Sequence, residues 1–183
     1  MCGQWIANSD DCKVDLDTVR RFDAVEKLLI GDTIFDIGCR DGAFLLGINV
    51  AFDEAVGADI NQDYVDIANK RAKEKPNLFF IQGDILKWDN LSLNPTFKPV
   101  FYDTIVCMET LEHLNVPNPF EVIKKLFSFV APGGRLIITV PANSHISDPD
   151  HRNIFYREGL MREFPNLKWI GVPHIWIGFY LDK

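Results

Sequence analysis

Three aspartates and one short acidic and imidazole cluster are the residues of this chain best placed for chemistry. Asp36, Asp59 and Asp84 lie at or just past the carboxyl ends of three apolar runs, Thr33-Ile-Phe-Asp36-Ile, Glu54-Ala-Val-Gly-Ala-Asp59 and Leu78-Phe-Phe-Ile-Gln-Gly-Asp84. Ligands of open α/β sheets bind outside the carboxyl ends of the strands. Carboxylates there repel phosphate and accept hydrogen bonds from ammonium groups, ribose hydroxyls and exocyclic amines. A ligand with an amino acid part, a ribose and an adenine fits such a trio. Taken singly, each aspartate is as well explained as a turn or helix cap; it is their ordered recurrence that points to a binding site.

The second cluster is Glu109-Thr-Leu-Glu112-His113. If this segment is helical, Glu109, Glu112 and His113 stand at i, i+3 and i+4 and share one face. Two carboxylates and an imidazole then form a divalent-metal half-site, for Mg or a similar ion, with His151 from a later loop as fourth ligand. In the metal-free alternative, His113 or His151 is the general base, beside Glu109. A bland reading remains, in which these side chains only shape the pocket.

The elements that must position these groups alternate between strand and helix. Apolar residues from Leu16 to Ile30 recur every three or four positions and predict an amphipathic helix stopped by Gly31. A strand from Thr33 to Ile37 runs through a glycine turn into a helix from Gly42 to Ala51, then a strand from Glu54 to Asp59. Asn61 caps a helix from Gln62 to Lys75, and a strand from Leu78 to Gln82 follows. Beyond a polar connection lie a strand from Phe101 to Met108, a helical turn from Thr110 to Leu114 and a helix from Pro117 to Val130. Ala131-Pro-Gly-Gly134 reads as a turn into a strand from Arg135 to Val140.

After Pro141 comes an irregular loop containing His145 and His151, then a helix from Tyr156 to Phe164. Leu167 to Leu181 reads as two strands broken at Gly171-Val-Pro173, an antiparallel hairpin on the sheet edge. Its aromatics, Trp169, Trp176, Phe179 and Tyr180, suit sheet packing. The expected fold is α/β: a doubly wound, mostly parallel seven-stranded sheet with helices on both faces and an antiparallel C-terminal edge. One domain is expected over 1–183: an arm and helix to residue 30, a binding core over 31–140, and a substrate-side loop, helix and hairpin over 141–183.

The turn after the first strand places Gly38, Arg40 and Ala43 where a dinucleotide fingerprint needs three small residues, and no phosphate loop of the G-x-x-x-x-G-K type occurs. Nineteen Lys and Arg against 26 Asp and Glu give a net charge of −7, which disfavours nucleic acid as partner. The four cysteines lack C-x-x-C spacing, and no apolar run reaches the length of a membrane span. The expectation is a cytoplasmic protein without membrane insertion, acting on a small-molecule acceptor. Trp5 on the N-terminal arm could close over that acceptor, and the pocket is either open or completed by a second copy in a homodimer.

Asp36-Ile-Gly38-Cys-Arg-Asp-Gly42, Gly57-Ala-Asp59, Gly83-Asp84-Ile85, Tyr102-Asp-Thr-Ile-Val-Cys-Met108 and Pro132-Gly-Gly-Arg-Leu-Ile-Ile138 resemble, in order, the motifs of the Rossmann-like (class I) S-adenosylmethionine-dependent methyltransferases. The resemblance implies methyl transfer with S-adenosylmethionine as cofactor. By the same resemblance Asp36 holds the ammonium group, Gly38 and Gly42 give the turn its close approach, and Asp59 accepts from the ribose hydroxyls. Asp84 meets the adenine amine, and Ile60 and Ile85 sandwich the ring. Arg40 departs from the glycine usual at its position. The Glu-x-x-Glu-His cluster is similar to those of ubiquinone-biosynthesis O-methyltransferases and of metal-dependent small-RNA 2′-O-methyltransferases. It implies methylation of an oxygen on a small molecule, with metal-assisted RNA ribose methylation, or a non-catalytic S-adenosylmethionine-binding subunit, as alternatives.

Overall fold

A computed structural model describes residues 15–88, 101–142, 149–172 and 175–183. The arm with Trp5, most of the polar connection (89–100), His145 and Pro173-His174 lie outside the described residues. Strands β1 (Thr33–Ile37), β2 (Glu54–Asp59), β3 (Leu78–Gln82), β4 (Tyr102–Met108), β5 (Val130–Pro141), β6 (Lys168–Ile170) and β7 (Trp176–Asp182) form one sheet in the order β3-β2-β1-β4-β5-β7-β6. The first five strands are parallel, and β7 runs antiparallel to both β5 and β6. The order reverses between β1 and β4, which opens a crevice at their carboxyl ends.

Side chains alternate across each strand. Phe35, Ile37, Ile105, Cys107, Leu136 and Ile138 pack on one face with α4 (Pro119–Ser128) and α5 (Arg157–Glu163). Ile34, Val106 and Ile137 pack on the other with α1 (Leu16–Glu26), α2 (Ala43–Gly47) and α3 (Gln62–Arg71). Alternation places Asp36 on this second face, with α1.

Several elements differ from their predicted bounds. Asp15 caps α1, its Oδ1 accepting from the amides of Asp17 and Thr18 at 2.9 Å each. The helix ends at Glu26 rather than Ile30, because the chain beyond it is tied to β4: Thr104 Oγ1 donates to Ile30 O and accepts from Ile30 N. Gly31, at φ 69°, packs where a Cβ would collide with Asp103. Helix α2 stops at Gly47, well short of Ala51. Ala131-Pro-Gly-Gly134 is not a separate turn but part of β5, irregular there, with Gly133 at φ 80°. At the β3 edge, the Asn69 side chain of α3 donates to Phe80 O at 2.8 Å and accepts from Phe80 N at 3.3 Å.

Candidate active site

The turn after β1 forms the floor of the crevice. The amides of Gly38 and Cys39 donate to Ala58 O at 2.8 and 3.1 Å, laying the turn across the end of β2. Three of its residues have left-handed backbone: Gly38 at φ 73°, Arg40 at 49° and Gly42 at 76°. A Cβ on Gly38 would lie 2.0 Å from Thr110 Oγ1, so this position admits no side chain. Arg40 adopts the conformation that glycine favours, and its guanidinium lies over the Tyr64 ring at 5.4 Å. Gly42, expected to face the cofactor, is buried where a Cβ would strike the Phe80 ring at 2.5 Å; packing against β3 demands this glycine.

The three strand-end acids have distinct surroundings. Asp59 is fixed through both oxygens, Oδ2 accepting from Arg40 N and Oδ1 from Asn61 N at 2.9 Å each. Asp36 is only 2% exposed. Burial, reinforced by the Asp59 charge and opposed by Arg21, pushes its carboxyl up to about 7. Asp84 caps a three-residue 3-10 turn, its Oδ1 accepting from Leu86 N at 3.0 Å, and pairs with Lys87 at 3.3 Å. Ile60 is 66% exposed, but Ile85, expected as the second wall of an adenine slot, is 6% exposed inside the core. The 3-10 turn carries it inward.

Glu109 does not join Glu112 and His113. A non-glycine residue at φ 49°, it lies outside the 3-10 turn Leu111–His113, so the i, i+3, i+4 geometry of a continuous helix does not arise. Its Oε1 accepts from Thr139 Oγ1 at 3.1 Å and lies 3.4 Å from Arg21 Nη1, on the face covered by α1. Burial raises its carboxyl, opposed by Arg21 and by hydrogen bonds from Thr139 and Trp176. The guanidinium of Arg21 is also 4.4 Å from the Trp176 ring centroid. Burial pulls Arg21 down while Glu109, Glu112, Asp15 and Asp36 pull it back, so one buried cation faces the crevice carboxylates.

Glu112, His113 and His151 do converge, with one ligand atom from each within 4.8 Å of the others. Glu112 is 1% exposed, and its Oε1 is 3.9 Å from His113 Nε2. The rings of His113 and His151 lie edge to face, 4.9 Å between centroids. A carboxylate and two imidazoles at this spacing fit a divalent transition metal with open coordination positions.

Arg21, Thr139 and Asn153 were not singled out by sequence, and Trp176 was read there only as a sheet-packing aromatic. Arg21 stands four residues before Val25 in the apolar stripe of α1, and a charge in such a stripe is the signal that could have marked it. Asn153 offers no comparable signal. Among the described residues no helix is long and apolar enough to cross a membrane.

Comparison with known proteins agrees with this architecture. The chain is 31% identical over 113 residues to a ubiquinone biosynthesis O-methyltransferase of Aeromonas salmonicida (strain A449), a match covering 61% of this chain and 44% of that protein. The chain thus spans less than half the length of this curated relative. Among solved structures, the N-methyltransferase NodS from Bradyrhizobium japonicum WM9, in complex with S-adenosyl-L-homocysteine, superposes with TM-score 0.74 at 16% identity, over 98% of this chain and 94% of that one. The magnesium protoporphyrin IX methyltransferase ChlM from Synechocystis PCC 6803, with bound S-adenosylhomocysteine, gives TM-score 0.69 at 16% identity, over 94% and 90%. These likenesses are of fold. The profile of the methyltransferase domain family matches residues 16–180; the chain belongs to that family and has the Rossmann-like fold of the methyltransferase structures named above.

Proposed function

We propose that this chain methylates an oxygen atom of a small-molecule acceptor at the carboxyl end of β4. The observation that carries the reading is the convergence of Glu112, His113 and His151. A neutral hydroxyl is a poor nucleophile, and an imidazole within hydrogen-bond reach can take its proton as the oxygen attacks. His113, the more exposed of the two histidines, is the side chain that meets an incoming hydroxyl, with Glu112 Oε1 3.9 Å from its Nε2. Asp36 and Asp59 hold the cationic and ribose ends of S-adenosylmethionine, whose methyl carbon is the electrophile and whose sulfur leaves with the bonding pair. Ile60 supplies an apolar contact for the adenine and Asp84 an acceptor for its amine.

Glu112, His113 and His151 are also the residues that would hold a divalent cation. Such a cation lowers the pKa of a bound hydroxyl and so supplies a nucleophile near neutral pH. The same three residues would serve an RNA ribose hydroxyl, but a net charge of −7 weighs against a polyanionic acceptor. The match to ubiquinone biosynthesis O-methyltransferases supports oxygen as the accepting atom.

The test is release of S-adenosylhomocysteine across a panel of phenols, catechols, amines and short RNAs. Turnover of hydroxylated small molecules is expected, with loss in Glu112→Ala. Turnover confined to amines or to RNA would overturn the reading.

A further inference from the structure

We propose that Asn153 is a positioning residue that holds His151 against Glu112 and His113, an inference that rests on the reading of those three side chains as the reacting group. A three-residue 3-10 turn leaves carbonyls at its end that need outside donors. Asn153 and its neighbour supply them. The Asn153 Nδ2 donates to Leu111 O at 2.9 Å and to Leu114 O at 2.6 Å. The amides of Arg152 and Asn153 both donate to Glu112 O, at 2.6 and 3.0 Å.

Four hydrogen bonds from two consecutive residues therefore land on the segment that carries Glu112 and His113. His151 lies immediately before this staple, in a stretch of irregular backbone running from 151 to 156. Downstream the next buried anchor is Phe155, 1% exposed. The residues that follow His151 thus tie its backbone to the segment that carries His113.

The chemistry selects asparagine. The Leu111 and Leu114 carbonyls each accept from one local amide, Leu114 N at 3.4 Å and Val116 N at 3.1 Å, and each keeps a lone pair for one more donor; one carboxamide nitrogen carries two. Aspartate would turn an anionic oxygen toward two carbonyl oxygens. Alanine would leave both carbonyls without these donors. Partners that orient ligand side chains typically change metal affinity by about 10–100-fold when removed.

The test compares the full chain with Asn153→Asp and Asn153→Ala by NMR of the histidine rings, by Mn²⁺ titration and by S-adenosylhomocysteine calorimetry. The wild type is expected to show a nuclear Overhauser effect between the His113 and His151 rings. Both variants are expected to lose it while keeping their far-UV circular dichroism and, within about twofold, their S-adenosylhomocysteine affinity; Mn²⁺ affinity falls by about 10–100-fold. If Mn²⁺ does not bind the wild type but the ring contact is lost in the variants, the positioning role stands and the metal reading falls. Retention of the contact in both variants, its absence from the wild type, or unfolding of both variants would overturn the proposal.

Discussion

Glu109 faces Arg21, its Oε1 3.4 Å from the guanidinium Nη1, and not the two histidines. The pair joins the amino-terminal helix to the carboxyl end of β4, where the acceptor is proposed to react. Breaking a buried ion pair from one side costs about 3–5 kcal/mol, because the remaining charge stays desolvated. Arg21→Met is therefore expected to destabilise strongly, and Arg21→Met with Glu109→Leu to recover most of the loss. Urea unfolding of the two single variants and the double variant measures this; additive effects would show that the pair is not coupled.

The same geometry separates the two glutamates functionally. Glu112→Gln is expected to abolish Mn²⁺ binding, whereas Glu109→Gln should leave it within about threefold, since Glu109 is turned to Arg21 and Thr139 and supplies no atom to the cluster of Glu112, His113 and His151. Metal analysis of protein purified without chelator, followed by Mn²⁺ titration, distinguishes them. Equal losses would return Glu109 to the ligand set.

Asp36, on the proposed reading that it holds the cationic end of the cofactor, is expected to make cofactor binding depend on pH. Its folded value of about 7 lies above the ordinary 3.8, so the folded chain holds that proton more tightly than the unfolded chain. The associated stability is complete below about pH 4 and is lost as pH rises through about 7. Asp36→Asn should accordingly be more thermostable than the wild type above pH 7, with the gap closing toward pH 4. A cationic cofactor favours the ionised form, so S-adenosylmethionine affinity should fall by up to about tenfold per pH unit below 7, with proton uptake on release. Calorimetry in buffers of different ionisation enthalpy reads both; an affinity flat from pH 5 to 8 would contradict this.

Asp59 is preset by two backbone amides and keeps lone pairs for a further donor. Hydrogen bonds to a charged group contribute about 1.5–3 kcal/mol. Asp59→Ala should weaken S-adenosylhomocysteine binding by roughly 10–100-fold while folding is retained, since a 1.4 kcal/mol change is about tenfold. An unchanged affinity by calorimetry would remove Asp59 from the cofactor site.

Arg40 offers a test of backbone strain. Alanine at this position keeps the left-handed backbone and loses the contact with Tyr64, for an expected cost of about 1 kcal/mol. Glycine relieves the strain as it loses the contact, so Arg40→Gly should lie within about 0.5 kcal/mol of the wild type. Thermal unfolding of both variants gives the comparison.

The strands were legible because runs such as Ile34-Phe-Asp-Ile37 and Ile105-Val-Cys-Met108 combine β propensity with breakers at their ends. The predicted edge arrangement is also found, with β7 antiparallel between β5 and β6. Ala131 to Gly134 misled because proline and glycine signal turns, whereas here they fill an irregular part of a strand, with Gly134 packed against Asp103 O. The direction of Glu109 was not legible either. A helical spacing rule presumes helical dihedrals, and one residue at φ 49° sends the side chain to the other face. Arg21 acts through Glu109, 88 positions along the chain, and Asn153 through Leu111, 42 positions back, separations at which local pattern says nothing.

Asn69 has a consequence for how copies of this chain can meet. An edge strand grows by offering free amides and carbonyls to a neighbouring strand, and at β3 the outward pair on Phe80 is already taken by the Asn69 carboxamide. A second chain that tried to extend the sheet there would first have to displace that side chain. Self-templated stacking through this edge is thereby discouraged, and Asn69→Ala would make the chain more prone to aggregate on mild heating.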